Sequence, residues 1–381
     1  MDLEQVRKEI DKVDDQIAQL FDKRMELIND VVEAKKQNKK AVNDPNRERN
    51  ILLRVSEKVG EDKQFYLKRV FETLFEVSKA YQTANMVENS KIAEQIDFAL
   101  AKGMQKFPLK AKVACQGVAG AYSGIATDRM FELADITYFK NFEGVFGAVE
   151  KGFCKYGVLP IENSYAGSVN QVYDLMKEHK FHIVKSIRLP IVHNLVVNNG
   201  ATLDGIKEIF SHEQALNQCR HYIEKNFPNA TITVYANTAM AAKMVSESGR
   251  TDIAAISSKE CAELYNLKVL DGGIQDASGN YTRFILITKD FEIYKGSQRI
   301  SIMTTLSHTP GSLFKLLGKF SNLGINLTKL ESRPMIGLDF EFMFYFDFEC
   351  DVTRRDVQIL IAELDCSTEQ FTFLGAYNEV I

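Results

Sequence analysis

Arg24 stands where an apolar residue belongs. Leu3, Val6, Ile10, Val13, Ile17, Leu20, Arg24, Leu27 and Val31 follow alternating steps of three and four, the seam of a long amphipathic helix. A guanidinium on such a seam is costly unless an anion meets it. An acidic neighbour, or a side chain snorkelling at a helix seam, would answer that cost as well as a ligand does. The company Arg24 keeps favours a ligand. Lys35 lies eleven residues on, close to three turns, so it faces the same way, with about 16 Å of backbone between the two for a small molecule. Arg47 and Glu48 open a second helix behind Asp44-Pro45, and Ser78 and Gln82 form an i,i+4 polar pair beside the apolar stripe of a third.

A second set of chemistry-bearing residues lies downstream. It comprises Gly157-Val-Leu-Pro-Ile-Glu162-Asn163-Ser164, Ser211-His212-x-Gln214 with Gln218, and Tyr281-Thr282-Arg283-Phe284. Upstream of these, the turn Gln116–Ser123 holds Gly120 and Ser123, so backbone N–H groups and a hydroxyl can face an anion there. Thr282 also reads as a β-forming residue at a strand start, and Glu162 as a helix-capping acid. His212 reads as a structural histidine rather than a base. A third set, His308-Thr-Pro310-Gly311-Ser312-Leu313-Phe314 and Glu331-Ser332-Arg333-Pro334, closes the chain. Gly311 follows Pro310 at a helix start, where N–H groups can meet a carboxylate.

These sets require three kinds of scaffold. The first helix runs from about residue 3 to 37, roughly 50 Å at 1.5 Å per residue. A small domain cannot cover such a rod, so it is expected to pair with the same helix of a second chain. A second helix starts at Asp44-Pro45 and is expected to end at Gly60; a third runs from about 62 to 86. Residues 87–111 read as a helix tail and linker. From Lys112 to about 293, short apolar runs such as YGVLPI and RFILIT alternate with helical stretches, an α/β pattern. From 298 onward the order is strand, helix, strand, strand, helix, strand, a ferredoxin-like βαββαβ. The expected domains are 1–88, a linker at 89–111, 112–293 and 298–381.

Bulk properties exclude several classes. The 381 residues need more than one core, and the net charge of -4 with mixed signs points to neither nucleic acid nor an anionic membrane as partner. No apolar run nears the ~20 residues of a membrane span. The N-terminus is charged from its second residue, unlike a signal peptide. The six cysteines form no Cys-x-x-Cys pair, and the histidines have no metal spacing. The cytosol is the expected location, and no metal or cofactor is expected.

The helical set Arg7, Arg24, Lys35, Asp44-x-x-Arg47-Glu48, Ser78 and Gln82 resembles the all-helical chorismate mutase family over residues 1–86. The resemblance implies an intertwined dimer whose sites mix residues of both chains. Arg7 and Arg24 lie about 25 Å apart on one straight helix, so if both bind substrate, Arg7 serves the partner's site. The implied reaction is the pericyclic conversion of chorismate to prephenate, which needs a held conformer and charge stabilisation but no nucleophile. Arg7 and Arg24 would grip carboxylates, and Arg47 would do the same or orient Glu48. Lys35 and Gln82 would donate to the ether oxygen, Glu48 would accept from the ring hydroxyl, and Ser78 would support a carboxylate.

Residues 112–293 resemble prephenate dehydratase through the Ile-Glu-Asn and Thr-Arg-Phe segments, although Gln116–Ser123 departs from the family's usual Gly-Pro-x-Gly-x-Phe-Ser turn. The resemblance implies two α/β lobes like those of solute-binding proteins, with crossings near 188–192 and 270–275. It implies decarboxylation and dehydration of prephenate to phenylpyruvate in the cleft between them. Thr282 is the implied proton donor and Arg283 a carboxylate binder; Thr is a poor acid, and Glu162 is the rival donor if burial raises its pKa. Asn163, Ser123, Ser168 and Gln218 would orient the substrate.

The C-terminal region resembles an ACT domain, with Ser312 and Phe314 replacing the usual Ala and Val. The resemblance implies phenylalanine as effector, held by His308, Pro310, Gly311, Ser312, Leu313, Asn326, Leu327, Glu331, Ser332 and Arg333. The expected assembly is a homodimer or homotetramer. Two other classes remain open: a solute-binding sensor sharing the two-lobed fold, and a scaffold whose helices only dimerise.

Overall fold

A computed structural model describes residues 2–38, 44–86, 91–102, 106–335, 342–368 and 370–380. The outer limits of the expected helical domain (1 and 87–88), parts of the expected linker (89–90 and 103–105) and residues 339–341 of an expected strand lie outside them.

The chain begins with helices α1 (Leu3–Asn38), α2 (Pro45–Ser56) and α3 (Glu61–Met86). Asp44 caps α2 by accepting from the Arg47 amide at 3.0 Å. Gly60 does not close α2, which ends four residues earlier; instead its carbonyl accepts from Lys63 at the start of α3. Only the C-terminal part of α1 is covered within the chain, where Ile28 and Val32 are buried. These two lie beside the seam rather than on it: the seam residues Ile10, Val13, Ile17, Leu20 and Leu27 stay more than half exposed.

The expected linker holds a helix. α4 (Lys91–Lys102) buries Ile92, Ala93, Ile96 and Ala99 in the core of the C-terminal domain. Its stripe at steps of four and three was legible, but the lysine-rich stretch from its last residue onward (Lys102, Lys106, Lys110, Lys112) made the whole segment read as a linker.

The α/β region runs through β1 (Lys110–Gln116), α5 (Tyr122–Met130), β2 (Leu133–Phe139), α6 (Phe142–Glu150), β3 (Tyr156–Asn163), β4 (Gly167–Ser168), α7 (Asn170–Met176) and β5 (His182–Pro190). It crosses at 191–193 into a second lobe. That lobe comprises β6 (Asn194–Val197), β7 (Glu208–Ser211), α8 (Glu213–Gln218), α9 (Arg220–Asn226), β8 (Thr231–Val234), α10 (Thr238–Ser248), β9 (Ile253–Ser257), α11 (Lys259–Leu264) and β10 (Lys268–Gly272). The return crossing is 273–280, slightly later than expected, and β11 (Tyr281–Thr288) rejoins the first lobe between β5 and β3. The second lobe's sheet has the order β10-β6-β9-β7-β8.

The last region is β12 (Arg299–Thr305), α12 (Ser312–Asn322), β13 (Asn326–Pro334), β14 (Phe342–Glu349), α13 (Arg355–Ser367) and β15 (Phe371–Val380), in sheet order β13-β14-β12-β15. This is the expected βαββαβ topology. The sheet does not end there: β15 pairs in parallel with β5, so the first lobe and the C-terminal region share one continuous sheet. Gly375, at φ 152°, permits the junction, because a Cβ there would collide with the Ile183 carbonyl oxygen. Among the described residues no helix is long and apolar enough to cross a membrane.

Candidate active sites

The helical site forms between α1 and α3. Ser78 and Gln82, one turn apart, are both buried on the face of α3 that meets α1. Arg24 Nη1 donates to Ser78 Oγ, which in turn donates to the Leu74 carbonyl at 2.5 Å. Further along, Lys35 Nζ donates to Gln82 Oε1 at 3.0 Å, and Gln82 Nε2 donates to the Ser78 carbonyl at 3.2 Å. Two cations from α1 thus meet two neutral polar groups from α3. Among the described residues no carboxylate lies within ion-pair range of Arg24, and burial lowers its pKa. Burial also lowers that of Lys35, against the raising fields of Asp44 and Glu48.

Glu48 pairs with Lys79 at 3.2 Å, and Lys79 also holds Glu76 at 2.7 Å. Burial opposes the Lys79 charge, but the two carboxylates outweigh it and raise its pKa. Lys79 was not anticipated, although its position beside Ser78 offered a signal. Asp44, expected among the substrate contacts, is engaged as the α2 cap, the role that its place before Pro45 also indicated. Arg47 and Arg7 are exposed, and Arg7 lies far along α1 from Arg24.

The second site is the cleft between the lobes. One chamber of ≈ 380 Å³ is lined by Ser123, Asn163, His193, Gln218 and Thr282, and a neighbouring one of ≈ 450 Å³ continues past Gln218 and Asn280. Asn163 is the hub. Its Oδ1 accepts from the Tyr165 and Ala166 amides at 3.0 and 2.9 Å, which fixes the side chain's orientation. Its Nδ2 donates to Thr282 Oγ1 at 2.9 Å and to Asn280 Oδ1 at 2.9 Å. Because Thr282 accepts this bond, its own proton can be donated into the cleft. Asn280 Nδ2 then donates to Gln218 Oε1 at 2.8 Å, which also meets His193 Nε2 at 2.7 Å. An amide oxygen only accepts, so His193 carries its proton on Nε2. Its buried Nδ1 has no partner, and burial holds its pKa below the usual range despite the Gln218 bond.

Helices α5 and α10 both begin at the cleft wall, at Ala121–Ser123 and Asn237–Thr238. Their N-terminal dipoles supply the positive potential that a carboxylate needs. Ser123 Oγ itself donates to the Gln116 carbonyl at 2.7 Å. His212 caps α8, accepting from the Gln214 amide at 3.3 Å, as a structural histidine should.

Three residues expected in the cleft are elsewhere. In β11 and β3, Thr282 pairs with Asn163 and Arg283 with Glu162. Side chains alternate along a strand, so Arg283 and Glu162 leave on the face opposite Thr282 and Asn163. Arg283 is buried against the C-terminal domain. It donates to Asp347 and, at 2.7 Å, to the Tyr377 hydroxyl, and its Nε lies 3.1 Å from Glu379 without hydrogen-bond alignment. Burial opposes its charge, but Tyr377, Asp347 and Glu379 more than compensate and raise its pKa. Glu162 pairs with Lys329 at 3.3 Å. Ser168 bonds Glu331 at 2.5 Å and accepts from Lys329 at 2.8 Å. These positions correct the reading of Arg283 and Ser168 as substrate contacts and of Glu162 as an acid in the cleft. His193 and Asn280, which do line it, were not anticipated; both sit at the lobe crossings, where local sequence carries no periodicity.

In the C-terminal domain Gly311, at φ 86°, caps α12, and Ser312 Oγ donates to the Thr309 carbonyl at 2.9 Å. His308, Pro310 and Asn326 are exposed, while Leu313 and Leu327 pack at the edge of the core. Phe314 is 78% exposed. Glu331 and Arg333 face the first lobe: Arg333 holds Asp174 through two bonds at 3.2 and 2.8 Å, and Ser332 between them is exposed. Among the described residues no cluster of side chains suits a metal ion.

Comparison with known proteins fits this geometry. Residues 6–83 match the family model "Chorismate mutase type II", and residues 113–292 match "Prephenate dehydratase". The Arabidopsis thaliana protein "Arogenate dehydratase/prephenate dehydratase 2, chloroplastic" is 33% identical over 79% of this chain and 80% of its own length. The prephenate dehydratase of Arthrobacter aurescens in complex with L-Phe aligns over 70% of this chain and 90% of its own, at 27% identity and a TM-score of 0.64. GqqA, described as a novel type of quorum quenching acylase, aligns over 71% and 98% at 29% identity and the same TM-score of 0.64. With Thr282 and Asn163 paired in one cleft and Arg24 and Lys35 on α1, the chain belongs to the prephenate dehydratase family and is a bifunctional enzyme of phenylalanine biosynthesis, its chorismate mutase domain preceding the dehydratase domain in one polypeptide.

Proposed function

We propose that chorismate is rearranged between α1 and α3 and that the resulting prephenate is decarboxylated and dehydrated in the interlobe cleft to phenylpyruvate. The observation that carries the reading is the pairing of Arg24 with Ser78 and of Lys35 with Gln82, which sets two cations of α1 beside neutral polar groups of α3 as a receptor for an anion with a polar ether. Arg24 and Ser78 bind one carboxylate, and Lys35 and Gln82 donate to the breaking ether oxygen, where negative charge develops. Glu48, held by Lys79, accepts from the ring hydroxyl, and Arg47 binds or orients beside it. Arg7 reaches the site of a second copy, whose α1 covers the exposed seam around Ile17 and Leu20. A dimer is the minimal assembly, and a tetramer is compatible with it.

In the cleft, Thr282 donates its proton toward the departing hydroxyl as carbon dioxide leaves. Asn163 aligns Thr282, and Ser123, Gln218 and the N-termini of α5 and α10 receive the carboxylates. The Thr282 chamber itself is lined by no carboxylate, which suits prephenate, while Glu213 and Asp276 line the adjoining chamber, where the ammonium of arogenate would find a partner. The C-terminal βαββαβ region acts as an ACT domain that binds phenylalanine at Pro310–Leu313 and Asn326–Leu327 and shifts the cleft between states. The L-Phe complex of the Arthrobacter relative supports this. The cytosol is the proposed compartment, and the described cysteines are all unpaired thiols.

Purified protein supplied with chorismate alone should release phenylpyruvate, and phenylalanine should slow the second step. Failure to form any phenylpyruvate from chorismate by folded protein would sink the reading; turnover indifferent to phenylalanine would remove the regulatory part.

A further inference from the structure

Thr282 and Asn163 each have a chain neighbour gripped by the C-terminal sheet. Arg283 emerges from the opposite face of β11 into a buried site formed by Asp347 of β14 and Tyr377 and Glu379 of β15. That site is braced by Ser301, which donates to Asp347 at 2.5 Å and meets the Tyr377 hydroxyl at 2.7 Å. Arg188 and Arg299 share Glu379, at 2.9 and 3.4 Å. Glu162 likewise emerges behind Asn163 and is held by Lys329 of β13, which also binds Ser168. Two neighbouring β-strands therefore each carry one cleft residue and one clamped residue, in register.

We propose that Arg283 and Glu162 are positioning residues for the dehydration: the C-terminal sheet, by holding them, sets the Thr282–Asn163 hydrogen bond across the cleft. This rests on the reading of Thr282 as proton donor. The physical reason is the strand itself. Successive side chains share one backbone, so fixing Arg283 and Glu162 fixes the torsions that aim Thr282 and Asn163. The need for such a clamp is local: β11 begins at Tyr281, directly after the irregular crossing 273–280, and its register with β3 shifts just past Arg283. The ladders with β5 and β3 hold the backbone of this strand end from Tyr281 onward, and the clamp on Arg283 and Glu162 adds the side-chain restraint that sets its fine geometry beside the bulge. The C-terminal domain thereby contributes to the geometry of the dehydratase site while touching no substrate. It is also coupled to it through Glu331 and Arg333, which bind Ser168 and Asp174 of the first lobe.

The test uses the full chain with Asp347→Asn, Glu379→Gln and Lys329→Met, assayed with supplied prephenate and with chorismate. Each variant should lower the dehydratase kcat about tenfold with KM nearly unchanged, because the loss is felt at proton donation rather than binding. Mutase activity should stay at its wild-type level, which also reports folding of the rest of the chain. Combining Asp347→Asn with Thr282→Ser should cost less than the product of the two single effects, since both act on the same hydroxyl. Should Asp347→Asn fail to fold through loss of a buried charge, Lys329→Met, whose partner Glu162 keeps a 35% exposed side chain, still decides the matter. An unchanged kcat in the folded variants, or fully multiplicative losses, overturns the inference while leaving Thr282 as donor. A Thr282→Ala enzyme that still dehydrates prephenate removes the donor assignment and the inference with it.

Discussion

Thr282 and Arg283 are neighbours in sequence and face opposite sides of one sheet: the Thr282 hydroxyl meets Asn163 at 2.9 Å in the cleft, while the Arg283 guanidinium is buried against Asp347 and Tyr377 of the C-terminal domain. Two consecutive residues thus line the cleft on one side and join the C-terminal domain on the other.

Asn163 should control where the Thr282 proton points. Asn163→Asp replaces the donor with an acceptor, so Thr282 would bond to the new carboxylate and withdraw its proton from the cleft. The expected loss in dehydratase kcat is about 100-fold, the order of a lost general acid, with mutase turnover retained. Steady-state assays on the two substrates check this.

Lys35 gives the mutase an alkaline limit. Its pKa is lowered by burial, so the ammonium is lost at a pH below the ordinary 10.5 of lysine. Mutase kcat/KM should therefore fall as pH rises toward that value, because only the ammonium carries the charge that strengthens its hydrogen bond to the developing oxyanion. In Lys35→Arg the limb should move beyond the accessible range; a pH profile of each enzyme shows whether it does.

The exposed seam of α1 predicts an obligate partner. Leu20→Glu, at a side chain 67% exposed in the single chain, should dissociate the assembly and abolish mutase activity, read by light scattering and turnover. Arg7→Ala and Arg24→Ala, each inactive alone, should regain about a quarter of wild-type mutase activity when refolded together, since half the dimers are mixed and each mixed dimer holds one intact site.

Much of this was legible in the sequence, for physical reasons that differ by element. The heptad of α1 survives reading because a long helix repeats its pattern many times, and Arg24 and Lys35 stand out against it. The Arg24–Ser78 and Lys35–Gln82 pairs follow from helical spacing on each side. Strand alternation was equally available and would have separated Thr282 from Arg283 and Asn163 from Glu162; the motif was instead read as a single block. His193 and Asn280 were beyond reach, because both lie in irregular crossings and the bond from Asn163 at the end of β3 to Asn280 spans 117 positions. The merging of β15 with β5 is hidden for the same reason, since Gly375 by itself does not name Ile183 as its neighbour.

His193 should contribute a mild acid sensitivity. Burial lowers its folded pKa below the unfolded 6.5, so between those values the unfolded chain binds more protons. Stability is then fully present above about pH 6.5 and declines as pH falls toward the folded value. Thermal melts across this range should show a shallower decline for His193→Gln than for the parent.

The most direct test follows each substrate through two variants of the full chain. Arg24→Ala should lose chorismate turnover by about 100-fold or more yet convert supplied prephenate normally, while Thr282→Ala should convert chorismate and accumulate prephenate. Simultaneous loss of both activities in either variant, with the protein still folded, would contradict two separate sites on one chain.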